Sequence, residues 1–203
     1  MKNHKPFMNY ERKHPMTTNN NPDFVAVGKP APEGAAFIAP PATALPTDAA
    51  SALASAFVCV GYAGDAGLTN SVTTEATEIK AWGGKTVLNV QSSYAETYTL
   101  RLIECMNPVV LTEIFGKNNV IEDEGLIRVA HTAQERTYHP WVFDLIVGDK
   151  LKRCVIPSGK ITAVGDIIYS DSEAIGYDIT ISCQPNEAGE TSIEYIQTES
   201  IDN

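Results

Sequence analysis

Residues 78–104 read EIKAWGGKTVLNVQSSYAETYTLRLIE. Gly83-Gly84 separates two strand-like runs, 68–82 and 85–104, with Trp82 and Lys85 flanking the glycines. Glycine accepts the positive φ that a two-residue hairpin turn requires, so the stretch predicts a long ribbon with Trp82, Gly83, Gly84 and Lys85 at its tip. In the second run Tyr94, Glu96, Tyr98, Leu100, Leu102 and Glu104 share one face by period two; Ala95, Thr97, Thr99, Arg101 and Ile103 share the other. Those eleven residues, at ~3.3 Å each, span roughly 36 Å, about twice an ordinary strand. Gln91-Ser92-Ser93 offers a site for a bulge. Charges fall on both faces, and neither is plainly apolar. A ribbon of this length needs more than its own core to cover its faces and edges.

Working outward, FVCVGY (57–62) is strand-like and GDAG (64–67) is a turn. Residues 28–46 contain Pro30, Pro32, Pro40, Pro41 and Pro46, so only short edge pieces such as 35–39 can pair there. FVAV (24–27) reads as a short strand. Thr47 or Asp48 is predicted to cap an Ala-rich helix over 49–55. On the other side of the ribbon a clearer helix is predicted: Asn107 as N-cap, Pro108 at the first turn, an apolar stripe of Val109, Val110, Ile114 and Phe115, and Gly116 as the stop. Strands follow over 126–131, 138–147, 151–157, 160–169 and 173–183, with turns at Gly148-Asp149, Ser158-Gly159 and Ser170-Asp171. The chain divides into an arm over 1–23, a body over 24–183 and an acidic arm over 184–203 with one strand at 192–197. The fold class is mainly β: an antiparallel sandwich or partly open barrel with one flanking helix.

With 203 residues, 43% of them apolar, the chain has material for one ordinary domain. It has no apolar run long enough for a membrane span and its N-terminal stretch lacks a signal core, which predicts a soluble product with no membrane insertion. Lys2, Lys5, Arg12 and Lys13 against Glu11 leave residues 1–15 at +3, and the remainder at −13, of a net −10. Such a body repels phosphate, which excludes a tight DNA binder but not a protein past which DNA slides. Cys59, Cys105, Cys154 and Cys183 are widely spaced and form no CxxC pair; buried free thiols are predicted.

Sites for chemistry are scarce. GYAGDAG has neither dinucleotide nor P-loop spacing and reads as a turn. His4, His14, His131 and His139 lack metal-ligand spacing, and IEDEG (121–125) reads as a solvated loop rather than a calcium site. No nucleophile elbow or zinc-protease motif occurs. No catalytic residue, cofactor or metal is assigned. Trp141 is expected in the core; Trp82, beside a loop tip, fits either core or subunit contact, and the tip residues Trp82, Gly83, Gly84 and Lys85 are the candidate inter-subunit contacts.

The sequence resembles the major tail proteins, or tail tube proteins, of long-tailed phages, particularly those of actinobacterial hosts. The resemblance rests on GAAFIAPPATALPTDA (34–49), GYAGDAGLTNSVTTEATEIKAWGGKTV (61–87), PVVLTEIFG (108–116), HPWVFDLIVGDKLKRCVIPSGKIT (139–162) and GDIIYSDSEAIGYDITISC (165–183), above all on LTNS followed by IKAWGG. It covers most of 24–197, and residues 1–23 extend beyond the start expected for the family. The resemblance implies a β-sandwich with a flanking helix that forms hexameric rings, stacked into a hollow tube through which the genome leaves the virion. It implies a structural, non-enzymatic protein of the virion tail, made in the host cytoplasm. Its partners would be other copies of itself and the tape-measure, tail-tip and terminator proteins, with DNA only as passing cargo.

In such a tube the ribbon would have one face in a wet lumen. Glu75, Glu78 and Glu96 are the candidate lumen acids, with Lys80 and Arg101 as partial counterweights. A one-residue slip in register exchanges the faces, so the sequence leaves open which residues point inward. Other readings are an inner tube or terminator of a related injection apparatus and, in a different class, a β-sandwich module binding carbohydrate or a host surface. An enzyme on a β scaffold lacks a site.

Overall fold

Period-two alternation carries most of the chain into antiparallel strands, as the computed structural model shows for residues 20–32 and 34–198. In chain order these are β1 (Gly28–Pro30), β2 (Ala36–Ile38), β3 (Val58–Cys59), β4 (Thr69–Lys80), β5 (Thr86–Leu102), helix α1 (Pro108–Phe115), β6 (Val120–Asp123), β7 (Leu126–Val129), β8 (His139–Val147), β9 (Lys150–Val164), β10 (Tyr177–Cys183) and β11 (Ile193–Ile196). One nine-stranded sheet runs β3-β2-β8-β9-β10-β5-β4, with β1 added to β8 and β11 to β9; β6 and β7 form a separate hairpin. The sheet folds over on itself as a sandwich and does not close into a barrel. Tyr98 of β5 stacks on Phe143 of β8 with ring centroids 5.8 Å apart, although β9 and β10 separate these strands in the sheet order.

The corner between the layers lies in β9. Its first half pairs with β8 and β11, and its second half with β10. A turn was expected at Ser158-Gly159; instead the strand runs through it, and the register with β8 shifts between His139 and Trp141. Pro140 and Pro157 sit in that irregularity, where a missing N–H leaves no gap in the ladder. Gly159 is required there: a Cβ would lie 2.8 Å from both Ile181 Cγ2 and Trp141 Cδ1.

The core gathers Tyr98, Leu100 and Leu102 of β5, Trp141 and Phe143 of β8, Ile156 and Ile161 of β9, and Ile179 and Ile181 of β10. Each such side chain contributes about 1.5–3 kcal/mol by leaving water. Helix α1 adds Val110, Leu111 and Ile114. Its N-terminus is built as predicted: the Asn107 side chain accepts from Val109 N at 2.9 Å, Pro108 begins the first turn, and Gly116 follows the last.

Two expected elements are absent. The Ala-rich stretch 49–55 is not helical. Asp48 does cap it, accepting from Ala50 N at 2.8 Å and Ser51 N at 2.6 Å. The carbonyls of Asp48 and Ser51, which a helix would use for its own ladder, are instead taken by Arg153 Nη1 at 3.0 and 2.9 Å. Arg153 is itself buried and gripped at both ends by Asp144, Nε to Oδ1 at 2.6 Å and Nη2 to Oδ2 at 2.9 Å. This tertiary contact overrides local helix propensity. FVAV (24–27) forms no strand either; pairing with β8 begins at Gly28, and Phe24, Val25 and Val27 remain exposed. The strand expected over 192–197 forms as β11 and lies on β9.

Candidate assembly surface

The β4–β5 ribbon leaves the body near Glu96. All of β4 is exposed, as are the first ten residues of β5; from Glu96 onward β5 alternates between buried and half-buried. Register assigns the faces. Asn70 pairs with Tyr98 and Val72 with Glu96, so even-numbered β4 residues extend the core side. Ser71 pairs with Thr97 and Thr73 with Ala95 on the outer side. Glu75 pairs with Ser93 but Ala76 with Gln91, leaving Ser92 as the bulged residue, inside the expected Gln91-Ser92-Ser93 site.

The bulge resets the alternation of β5, and this exposes a feature that a period-two reading of the sequence misses. Beyond it, the outer side carries Ile79 opposite Leu88 and Thr77 opposite Val90, while the core side carries Glu78 opposite Asn89 and Ala76 opposite Gln91. The outer half of the ribbon is therefore two-faced, with Ile79, Leu88 and Val90 all about half exposed. The signal was present in Ser92, but only a fixed register converts it into faces.

The tip is a three-residue loop, Trp82-Gly83-Gly84, rather than the expected two-residue turn. Ala81 N donates to Lys85 O at 2.8 Å and Gly84 N to Ala81 O at 2.9 Å. Gly83 and Gly84 have φ of 97° and 87°, the left-handed region that disfavours a Cβ. Trp82 is fully exposed, so it is not part of this chain's core; Trp141 is, at 1%.

The three candidate acids separate. Glu75 lies on the outer side, accepting from Ser93 Oγ at 3.2 Å. Glu78 lies on the opposite side, accepting from Thr86 Oγ1 at 3.1 Å and 3.6 Å from Lys80 Nζ. One wall cannot hold both. Glu96 corrects its expected place among the wall acids, because it is 5% exposed. Its carboxylate accepts from Asn70 Nδ2 at 2.7 Å, Ser192 Oγ at 2.7 Å and Thr191 Oγ1. Burial pushes its pKa up, but these bonds together with Tyr94 hold it below the usual carboxylate range. Glu96 thus ties the segment before β11 onto the ribbon base.

Across β4, β5 and β10 the outer face carries rows of hydroxyls. Thr69, Thr99 and Thr180 form one row, and Ser71, Thr97 and Ser182 the next. Arg101 pairs in register with Asp178 beside them. The edges of the sheet are unequal: β3 has two residues and β4 twelve, and β4 pairs on one side alone. Unpaired backbone groups along such an edge invite another chain.

The body's histidines serve packing. His131 stacks on Phe115, and His139 sits 3.7 Å from Glu113 while contacting Ala39 O. Among the described residues no cluster of His, Cys, Asp or Glu suits a metal ion. No helix among them is long and apolar enough to cross a membrane.

The family model described as phage tail tube protein matches residues 16–202. No curated protein matches the chain.

Proposed function

Since the chain belongs to the phage tail tube protein family, we propose that its copies close into hexameric rings, stacked as the wall of a long phage tail through which the genome is delivered. The family makes it a structural component of the virion that assembles into a tube with other tail proteins. In the proposed ring the twelve-residue edge of β4 pairs with a neighbour's sheet, so that the sheets of the ring merge into one continuous barrel. That long unpaired edge is the observation that carries the reading. The hydroxyl rows of the outer face would line the bore, with Glu75 as its candidate acid beside the Arg101–Asp178 pair and Glu78 turned away. The charge of −13 over residues 16–203 supports DNA passing without adhering. Tape-measure, tail-tip and terminator proteins would meet the tube at its bore and ends, and synthesis would take place in the host cytoplasm.

Electron microscopy of purified protein over a concentration series, with and without a tail-tip complex as nucleus, tests the proposal. Six-membered rings or hollow tubes are expected. A monomer at millimolar concentration, even with the nucleus present, would overturn it.

A further inference from the structure

The exposed tip of the ribbon has a counterpart on the same chain. A cavity of about 680 Å³ opens between the proline-containing segment around β1 and β2 and the loop leading into β4. Pro30, Tyr62, Leu68, Leu100 and Phe143 line it. We propose that Trp82 of one copy seats in this cavity of another copy, joining successive rings; this rests on the tube reading above.

Three observations support that occupant. The first is shape. Pockets of 300–1,000 Å³ bury compact ligands, and an indole brings about 150–250 Å² of surface. Gly83 and Gly84 carry no side chains, and a Cβ at either would meet nothing within 4 Å, so the tip is slim enough to follow its Trp inward. The second is charge and hydrogen bonding. Lys85 lies three residues beyond Trp82, and the cavity is lined by Asp65 and Glu104 against one cation, Lys29, leaving it net negative. Glu104 accepts from Tyr62 N and Asn107 Nδ2, both at 2.9 Å, which leaves further lone pairs for the indole N–H. The third is distance. Leu68 of the cavity directly precedes β4 and Trp82 lies just past its end. Twelve extended residues hold the two roughly 40 Å apart, so Trp82 cannot reach its own cavity. A knob and a hole on separate parts of one chain suit a head-to-tail contact, which propagates into an open stack where its rotation does not close.

The test uses the full-length protein, with assembly followed by sedimentation and electron microscopy. Asp65 and Lys85 are both exposed, so their charges can be exchanged without disturbing the core. Trp82→Ala is expected to raise the critical concentration for tubes about thirtyfold, the effect of losing an aromatic anchor, with the melting temperature of the unassembled subunit unchanged. Lys85→Glu and Asp65→Lys are each expected to weaken assembly several-fold. The double variant is expected to recover wild-type assembly to within about threefold, as paired charges do. Tubes that form at an unchanged concentration in Trp82→Ala, or a double variant no better than the worse single one, would overturn this contact and leave the tube reading standing. Wild-type protein that forms no tubes even with the tail-tip nucleus present would overturn both.

Discussion

Replacing Glu96 with alanine should weaken the fold and free the C-terminal strand first. Asn70 Nδ2 and Ser192 Oγ donate to its carboxylate at 2.7 Å, and Thr191 Oγ1 donates as well. A hydrogen bond to a charged group contributes about 1.5–3 kcal/mol, but alanine also regains the cost of desolvating the carboxylate. The net loss should therefore match one to two such bonds, about 3 kcal/mol, or roughly 6–12 °C in melting temperature for a chain of this size. Urea unfolding of the subunit, below the concentration at which it assembles, measures it. Hydrogen exchange should show the amides of β11 opening ahead of the core, because Thr191 and Ser192 directly precede that strand. The pH dependence has a definite sign. The folded pKa of Glu96 is depressed. Its contribution is therefore full above the unfolded carboxylate pKa and is lost as pH falls through the folded value. The gap between wild type and Glu96→Gln should be constant near neutrality and shrink below about pH 4. A Glu96→Ala variant within about 0.5 kcal/mol of wild type at pH 7 would show that the cluster holds nothing in place.

Arg153→Leu should cost about 3–5 kcal/mol in the same urea assay, since it leaves Asp144 partly buried without its partner and releases the carbonyls of Asp48 and Ser51. Gly159→Ala should lose about 1–3 kcal/mol through overpacking against Ile181 and Trp141, read as a lower urea midpoint. Burial pushes the thiols of Cys154 and Cys183 up to about 12, helped by the charges of Glu194 and Glu96 respectively. A thiol reagent at pH 8 should thus modify Cys59 and Cys105 first and the buried pair only on unfolding; four equal rates would contradict this. In intact phage, Glu75→Lys should slow genome ejection, more so at low salt, and Glu78→Lys should not; equal effects would reverse the assignment of faces.

The ribbon, its bulge and helix α1 were legible in sequence because their signals are local: a glycine pair, a serine pair breaking an alternation, an Asn-Pro start with a glycine stop. What sequence could not supply was set by distant partners. Residues 49–55 have helical propensity, yet Arg153, a hundred residues away, takes the carbonyls of Asp48 and Ser51. Ser158-Gly159 reads locally as a turn, but the glycine is there to let Ile181 and Trp141 approach as β9 passes from one layer to the other. Glu96 reads as one exposed ribbon acid among three until the chain returns ninety-five residues later to cover it. The apolar triad Ile79, Leu88 and Val90 is scattered in sequence and adjacent only once the register is known.

The long edge of β4 also has a cost before assembly. Its first half, TNSVTT, has no charge, no proline and no glycine, and every residue of it is exposed. Short uncharged β-prone segments on an open edge are the usual seeds of disordered fibrils. Glu75, Glu78 and Lys80 interrupt the second half, where they act as gatekeepers that keep newly made subunits apart. In the proposed ring, productive polymerisation and amyloid-like aggregation compete for one set of backbone groups, and the outcome is decided by rate. A nucleus that offers the correct neighbour early removes the edge from the competition, so subunits made without one should precipitate more readily as their concentration rises.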